Sequence, residues 1–434
     1  MPPAEPGRRW DTQALLTTAE RCLAGGALHH LTALPPEARV VLVRGRGSRV
    51  WDSDGREYID YYLGSASLVL GHAHPEVLAA VRAQEEQGTQ FFELTPAAIQ
   101  LAERLTQVVP CAERVKFANS GSEATAAALK LARAHTGRDH VLKFEGAYHG
   151  THDWAVWGAL HRAPIAYPRA EADSMGVPRG LGDYVLVAPY NDLATASAQI
   201  RAHRHQLAAV MMEPLLGNVR PAPGFLEGVR AVTAEYGIPL IFDEVVSGFR
   251  LALGGAQEYY GVVPDLTALG KSLGGGYPIG AIAGRAALFD SVTPAAVARG
   301  RFAMYTGTFS GNPVSCAAAL ATLDVLQRPG TYARLHDLGQ SLANGLRDIS
   351  RRLGVPTFVI NEGPMVDLWF TDRPVTSYPA IWAADAARSR TFKLGLMRRG
   401  IWSPPGLKMF LSLAHTDEDI ARTLEAGEAA MNAL

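Results

Sequence analysis

The chain has 434 residues, 48% of them hydrophobic and 19% charged, with a formal net charge of −1 and a pI of about 6.9. That length allows a large core and a second domain, and the balanced charge lacks the basic excess by which proteins hold DNA, RNA or anionic membranes. Small molecules and a second copy of the chain remain as the expected partners, with no nucleic acid and no membrane.

The opening residues, MPPAEPGRRWDTQ, are polar and proline-rich. No apolar signal segment follows them and no apolar run is long enough to span a bilayer, so the expected location is cytoplasmic. Residues 39–62 read as a β-meander, with alternating apolar positions around the turn Asp52-Ser53-Asp54-Gly55. From about residue 75 to 330, short apolar strands alternate with amphipathic helices. The strand candidates are 115–118, 140–144, 184–189, 208–213, 239–245 and 279–284. The helices between them include 123–137, closed by Gly137, and 224–236, closed by Gly237. This alternation predicts an α/β fold around a mainly parallel sheet covered on both faces. Residues 330–434 turn to longer helices around two strand candidates, 365–370 and 409–415, which predicts a smaller C-terminal α/β domain. The three cysteines, Cys22, Cys111 and Cys316, are far apart and form no CxxC pair, so neither a disulfide framework nor a zinc site is expected and a reducing compartment fits.

Several segments carry chemistry. Asn119-Ser120-Gly121-Ser122-Glu123-Ala124 follows a strand and opens a helix. It is open to two readings, a capped helix start or an anion cradle suited to phosphate. Asp243 and Glu244 end an apolar strand, where a carboxylate either caps the turn or meets a cationic group on a ligand. The basic residues are nearly all Arg, and Lys271 is one of only six lysines, with Lys116, Lys130, Lys143, Lys393 and Lys408. It stands between apolar residues and the run Gly274-Gly275-Gly276. Burial there lowers the pKa of an ammonium, and a neutral amine attacks an aldehyde to form an imine; the alternative is a lysine snorkelling at a helix start. Tyr148, in Phe144-Glu145-Gly146-Ala147-Tyr148-His149-Gly150, suits the stacking of a flat ring or ordinary half-burial. Thr306-Gly307-Thr308-Phe309-Ser310-Gly311-Asn312-Pro313 reads alone as a turn and helix cap. Together these supply a phosphate anchor, a partner for a pyridinium nitrogen, an imine-forming amine and a ring support, the set that pyridoxal 5′-phosphate (PLP) requires.

From about residue 38 to 430 the chain resembles the class III aminotransferases, PLP enzymes of fold type I, and within them most resembles the glutamate-1-semialdehyde 2,1-aminomutase branch. The matching segments include GHAHPEV at 71–77, NSGSEAT at 119–125, KFEGAYHG at 143–150, EPLLGN at 213–218, IFDEVVSGFR at 241–250, LGKSLGGGYPIGAIAGR at 269–285, GTFSGNP at 307–313 and LSLAHTDEDI at 411–420. The resemblance implies a large domain with a mainly parallel seven-stranded sheet over residues 71–325. It implies a small α/β domain built from the N-terminal segment, 1–70, and the C-terminal segment, 326–434.

It also implies roles. Lys271 is the Schiff-base lysine and proton carrier, Asp243 the partner of the pyridine nitrogen, and Ser120, Gly121 and Ser122 the phosphate site. Thr308 completes that phosphate site from the partner subunit of a homodimer. Tyr148 stacks on the ring, Asn218 contacts its 3′-oxygen, and Glu213 is the carboxylate below it. The chain departs from the aminomutase pattern where substrate is held. The family's Asn-Ser-Pro-Val-Arg is replaced by a stretch without Arg, Ala27-Leu28-His29-His30-Leu31-Thr32, and a family Glu is replaced by Lys408. His29, His30, Phe91, Phe92 and Lys408 are the candidate pocket residues. The leading expectation is an aminotransferase that moves an amino group from an amine or amino acid to a keto or aldehyde acceptor. Intramolecular transfer of the aminomutase type and PLP racemisation or epimerisation are the alternatives. Retention of both Lys271 and Asp243 argues against a cofactor-binding homologue without turnover.

Overall fold

The computed structural model describes residues 10–29, 34–217 and 219–434. Among these residues the strands form three sheets. The largest has seven strands in the spatial order Arg114–Ala118, Gly280–Gly284, Leu266–Leu269, Leu240–Asp243, Leu207–Met212, His140–Phe144 and Val185–Ala188. Six run in one direction. Gly280–Gly284 is antiparallel to both of its neighbours, so the expected parallel sheet carries one reversed strand. The strand Leu266–Leu269 was absent from the strand candidates, and it is the element that leads directly into Lys271.

The central strands are buried along their whole length, which is why they read as apolar runs rather than alternations. The helix Gly121–Thr136 packs on them through Ala124, Ala127, Ala128, Leu131 and Ala132, all buried, and small side chains let its axis approach the sheet closely. Gly137, at φ +67°, ends it in the left-handed conformation. The helix Pro313–Leu326 covers the other face. It is apolar nearly all round and packs between the sheet and the helices Pro75–Gln87 and Pro96–Val108.

The N-terminal meander consists of Leu42–Arg46, Arg49–Asp52 and Glu57–Asp60. Its third strand is joined in parallel by Ile401–Trp402, a C-terminal strand that sequence patterning did not mark. The long C-terminal helix Thr331–Leu353 buries Leu335, Leu338, Leu342, Leu346 and Ile349, a spacing of three and four residues. It lies on Phe358–Glu362, Met365–Trp369 and Met409–Phe410. The expected strand over 409–415 is thus only two residues long, because Ser412 and His415 turn the chain through hydrogen bonds to each other.

A buried polar knot ties the chain's two ends together. Asp419 takes the Ser48 hydroxyl at 2.8 Å and the Arg49 guanidinium at 2.5 Å, and with Thr416 it forms a capping box on the helix Asp417–Met431. His415 stacks against Tyr61, and burial pulls its ring down to about 4. Removing one partner of a buried pair leaves the other charge unsolvated. Asp419→Ala is therefore expected to cost about 3–5 kcal/mol in urea unfolding, whereas the exposed pair Arg351–Asp348 is expected to contribute within about 1 kcal/mol.

Candidate active site

Five parallel strands end at one edge of the large sheet, and each delivers a side chain there. Arg114–Ala118 leads to Asn119–Ser122, His140–Phe144 to Tyr148 and His149, and Leu207–Met212 to Glu213. Leu240–Asp243 ends on Asp243 itself, and Leu266–Leu269 leads through Gly270 to Lys271. Ligands of open α/β sheets sit beyond the carboxyl ends of the strands for this geometric reason.

Lys271 has a φ of +44°, in the left-handed region that residues with a side chain rarely occupy. Its neighbour Ser272 is gripped by Arg250, a fully buried guanidinium. Arg250 reaches the Ser272 hydroxyl at 2.7 Å, the carbonyl of Val246 at 3.0 Å and the carbonyl of Ala66, and lies over the Phe410 ring. Burial is the largest influence on the Lys271 amine and lowers its pKa. Asp243 and Glu213 pull the other way, and Arg250 adds to the lowering. The amine is thereby biased towards the neutral, nucleophilic form.

Asp243 is buried and accepts from His149 Nδ1 at 2.7 Å and from the Val245 N–H at 3.1 Å. A carboxylate has room for a further donor on either oxygen. His149 is itself buried, and its Nε2 has no partner among the described residues. This histidine orients the carboxylate, and sequence reasoning passed over it in favour of its neighbour Tyr148. Tyr148 is 48% exposed, and its backbone N–H donates to Glu213 Oε1 at 2.8 Å. Glu213 is buried, and its carboxyl is pushed up by desolvation and by Asp243, against a downward pull from Lys408 and His149.

The 119–122 segment combines both readings its sequence left open. Ser120 caps the helix by accepting from the Glu123 N–H at 3.2 Å, while the N–H groups of Gly121 and Ser122 have no acceptor among the described residues. Glycines bring the surrounding chain close. A Cβ on Gly121 would stand 2.7 Å from Val245, one on Gly150 2.3 Å from the Ser122 hydroxyl, and one on Gly280 2.4 Å from the Ser120 carbonyl oxygen. The result is a backbone cup at a helix N-terminus, of the kind that binds phosphate.

The family described as aminotransferase class-III matches residues 33–431. The chain belongs to the class III aminotransferase family. It is 44% identical to glutamate-1-semialdehyde 2,1-aminomutase 2 of Brevibacillus brevis over 398 residues, 90% of this chain and 91% of the relative. Among solved structures it is similar to an omega-transaminase from Sphaerobacter thermophilus, with a TM-score of 0.92, 36% identity and coverage of 99% of this chain and 98% of that one. It is similar also to a transaminase with PLP bound, with a TM-score of 0.88, 29% identity and 97% of each chain covered. This class III enzyme is therefore PLP-dependent, and its site fits that cofactor. It offers a cup for a phosphate, a buried carboxylate for a ring nitrogen and a primary amine of lowered basicity for an aldehyde.

Other expected residues lie apart from this cluster. Thr308 is exposed on a loop whose Gly307 approaches Asn119, and its carbonyl accepts from the Gln90 side chain. Phe91, Phe92 and His29 are exposed, and no hydrogen bond or ring contact among the described residues ties them to Lys271. Asn218 and His30 lie outside the described residues.

Two tests follow from this packing. Gly280→Ala drives a methyl into a backbone carbonyl, so it is expected to cost about 1–3 kcal/mol in unfolding and to speed PLP release, read as loss of cofactor fluorescence on dilution. Burial, with His149 and Lys143 nearby, pulls His152 down to about 4, as burial does His415. Unfolded histidine titrates near 6.5, so between about pH 6.5 and 4 the unfolded chain binds protons that the folded chain refuses. Folding stability is full above that window and falls through it by up to about 1.4 kcal/mol per pH unit per ring, a decline measurable by urea unfolding at several pH values.

Proposed function

We propose that this class III enzyme transfers an amino group between an amine or amino acid donor and a keto or aldehyde acceptor, with Lys271 as the residue that binds the cofactor and carries the proton. The observation behind this reading is the meeting of Lys271, Asp243 and the 120–122 cup at one sheet edge. PLP, when bound, supplies an aldehyde that accepts an amine and a ring that takes up electrons from the adjacent carbon. Asp243, oriented by His149, keeps the ring nitrogen protonated. Ser120, Gly121 and Ser122 would hold its phosphate, Tyr148 would support the ring, and Asn218 would contact the ring oxygen. Glu213 anchors the Tyr148 backbone beneath the cofactor. The Lys271 amine is the base that would carry a proton to and from the substrate carbon.

A homodimer accords with the surface around Thr308. The Gln90–Thr308 contact and a hydrogen bond from Asn312 Nδ2 to the Thr89 carbonyl at 2.8 Å bring two loops together, and Phe91, Phe92 and Phe309 stand exposed on them. An apolar surface of this kind marks an interface, across which Thr308 would complete the partner's phosphate site. No helix among the described residues is long and apolar enough to cross a membrane, and the three free cysteines suit a reducing cytoplasm.

A second reading, intramolecular transfer as in a 2,1-aminomutase, is favoured by the name of the 44% identical relative. Product analysis separates the two: a transferase moves the donor's nitrogen to an external keto acid, and a mutase returns it to the same molecule. In either case Lys271→Ala is expected to abolish the visible absorption of the lysine-bound cofactor and to slow turnover by roughly 10²–10⁴-fold through loss of the general base alone. Unchanged absorption and turnover in that variant would remove Lys271 from both roles.

A further inference from the structure

The mechanism above makes no use of Lys408. This lysine follows the turn at Pro404–Leu407 and precedes the strand Met409–Phe410, whose Met409 pairs with Val366. Its ammonium is near enough to Lys271 and Glu213 to feel their charges. The Cβ position of Gly217 lies 3.7 Å from Lys408 Nζ, and no other described atom beyond Gly217's chain neighbours comes within 4 Å of that point. The nitrogen therefore faces a gap that a side chain at position 217 would occupy.

Among the described residues Lys408 makes no hydrogen bond and no ion pair. Glu213 and Asp367 are the carboxylates whose charges act on Lys408; Glu213 accepts from the Tyr148 N–H at 2.8 Å and the Gly217 N–H at 3.4 Å and forms no ion pair with the lysine. The site thus holds a half-buried lysine whose lost solvation no contacting carboxylate replaces, a place where an incoming anion would be stabilised. Desolvation lowers the amine to about 8, with Glu213 and Asp367 opposing and Lys271 and Arg250 reinforcing the shift. Once Lys271 is committed to the cofactor, and with Arg250 fully buried and held by Ser272 and two carbonyls through Nε and Nη2, its Nη1 unpartnered among the described residues, Lys408 is the cation that faces the gap at Gly217.

We propose that Lys408 binds a carboxylate of the substrate, so that the molecules exchanging the amino group are amino and keto acids rather than simple amines. Gly217 provides the room for that carboxylate, and Glu213, held by two backbone N–H groups, keeps the ammonium charged without capturing it. This inference rests on the Lys271 reading and sharpens it to a substrate class.

The test uses PLP-loaded enzyme and matched donors that differ in a carboxylate: alanine against 2-aminopropane, 3-aminobutanoate against 2-aminobutane, and 4-aminobutanoate against butylamine. Loss of the cofactor's visible band in a single turnover reports each half-reaction. The wild type is expected to be bleached by at least one of the acids in preference to its matched amine. Lys408→Gln is expected to raise the KM for that acid by roughly ten- to hundredfold and leave the amine within about twofold, and Lys408→Arg is expected to restore most of the loss by keeping the charge. A purely structural Lys408 would move acid and amine together, and that result overturns the proposal. So does a wild type bleached by amines alone, which leaves the Lys271 reading intact. Bleaching by neither class, in protein that holds PLP, overturns both.

Discussion

An amine taken out of water keeps its charge only where fixed carboxylates or hydrogen bonds replace the lost solvation. At the carboxyl edge of the seven-stranded sheet two half-buried lysines, Lys271 and Lys408, lie under the influence of buried carboxylates, among them Asp243 and Glu213. Neither carboxylate forms an ion pair with a lysine: Asp243 is turned to His149 and the Val245 N–H, and Glu213 to Tyr148 and Gly217. Burial thus lowers both amines while nearby carboxylates oppose the shift. That balance suits the proposed roles of one as a nucleophile and the other as an anion site.

The rest of the fold serves to hold four such groups still. Parallel strands place the ends of five chain segments side by side, and the reversed strand Gly280–Gly284 returns along Arg114–Ala118 so that Gly280 presses on the Ser120 carbonyl. Lys271 occupies an unfavourable backbone conformation, and the buried guanidinium of Arg250 supplies the restraint that keeps it there. Strain of this kind persists only where the surroundings over-determine it.

The group proposed to face the substrate comes from a different part of the chain. Lys408 arrives on the C-terminal segment, whose position is set by the pairing of Ile401–Trp402 with the N-terminal meander and by the Asp419 knot to Ser48 and Arg49. Cofactor and substrate groups thus sit on separately anchored supports. The cofactor side can stay constant within a family while the other side changes its charge, as the replacement of a family Glu by Lys408 illustrates.

The amino-acid sequence by itself determined the α/β class, most of the strands and the cluster of Lys271, Asp243, Tyr148 and Ser120–Ser122. Apolar runs, glycine stops and helix caps are local signals, and a chemistry that requires unusual residues in a fixed order leaves them visible along the chain. It did not mark Leu266–Leu269, whose four residues merge into the glycine-rich lysine segment, nor Ile401–Trp402, a strand only through its partner. The reversed direction of Gly280–Gly284 is likewise a property of pairing, which no run of side chains records. Only the tertiary structure decided that His149 orients Asp243, that Arg250 restrains the Lys271 loop, and that Lys408 meets Glu213 and Gly217 from nearly two hundred residues away in the chain. Each of these depends on the distance between groups remote in sequence, and burial gives that distance its energetic weight.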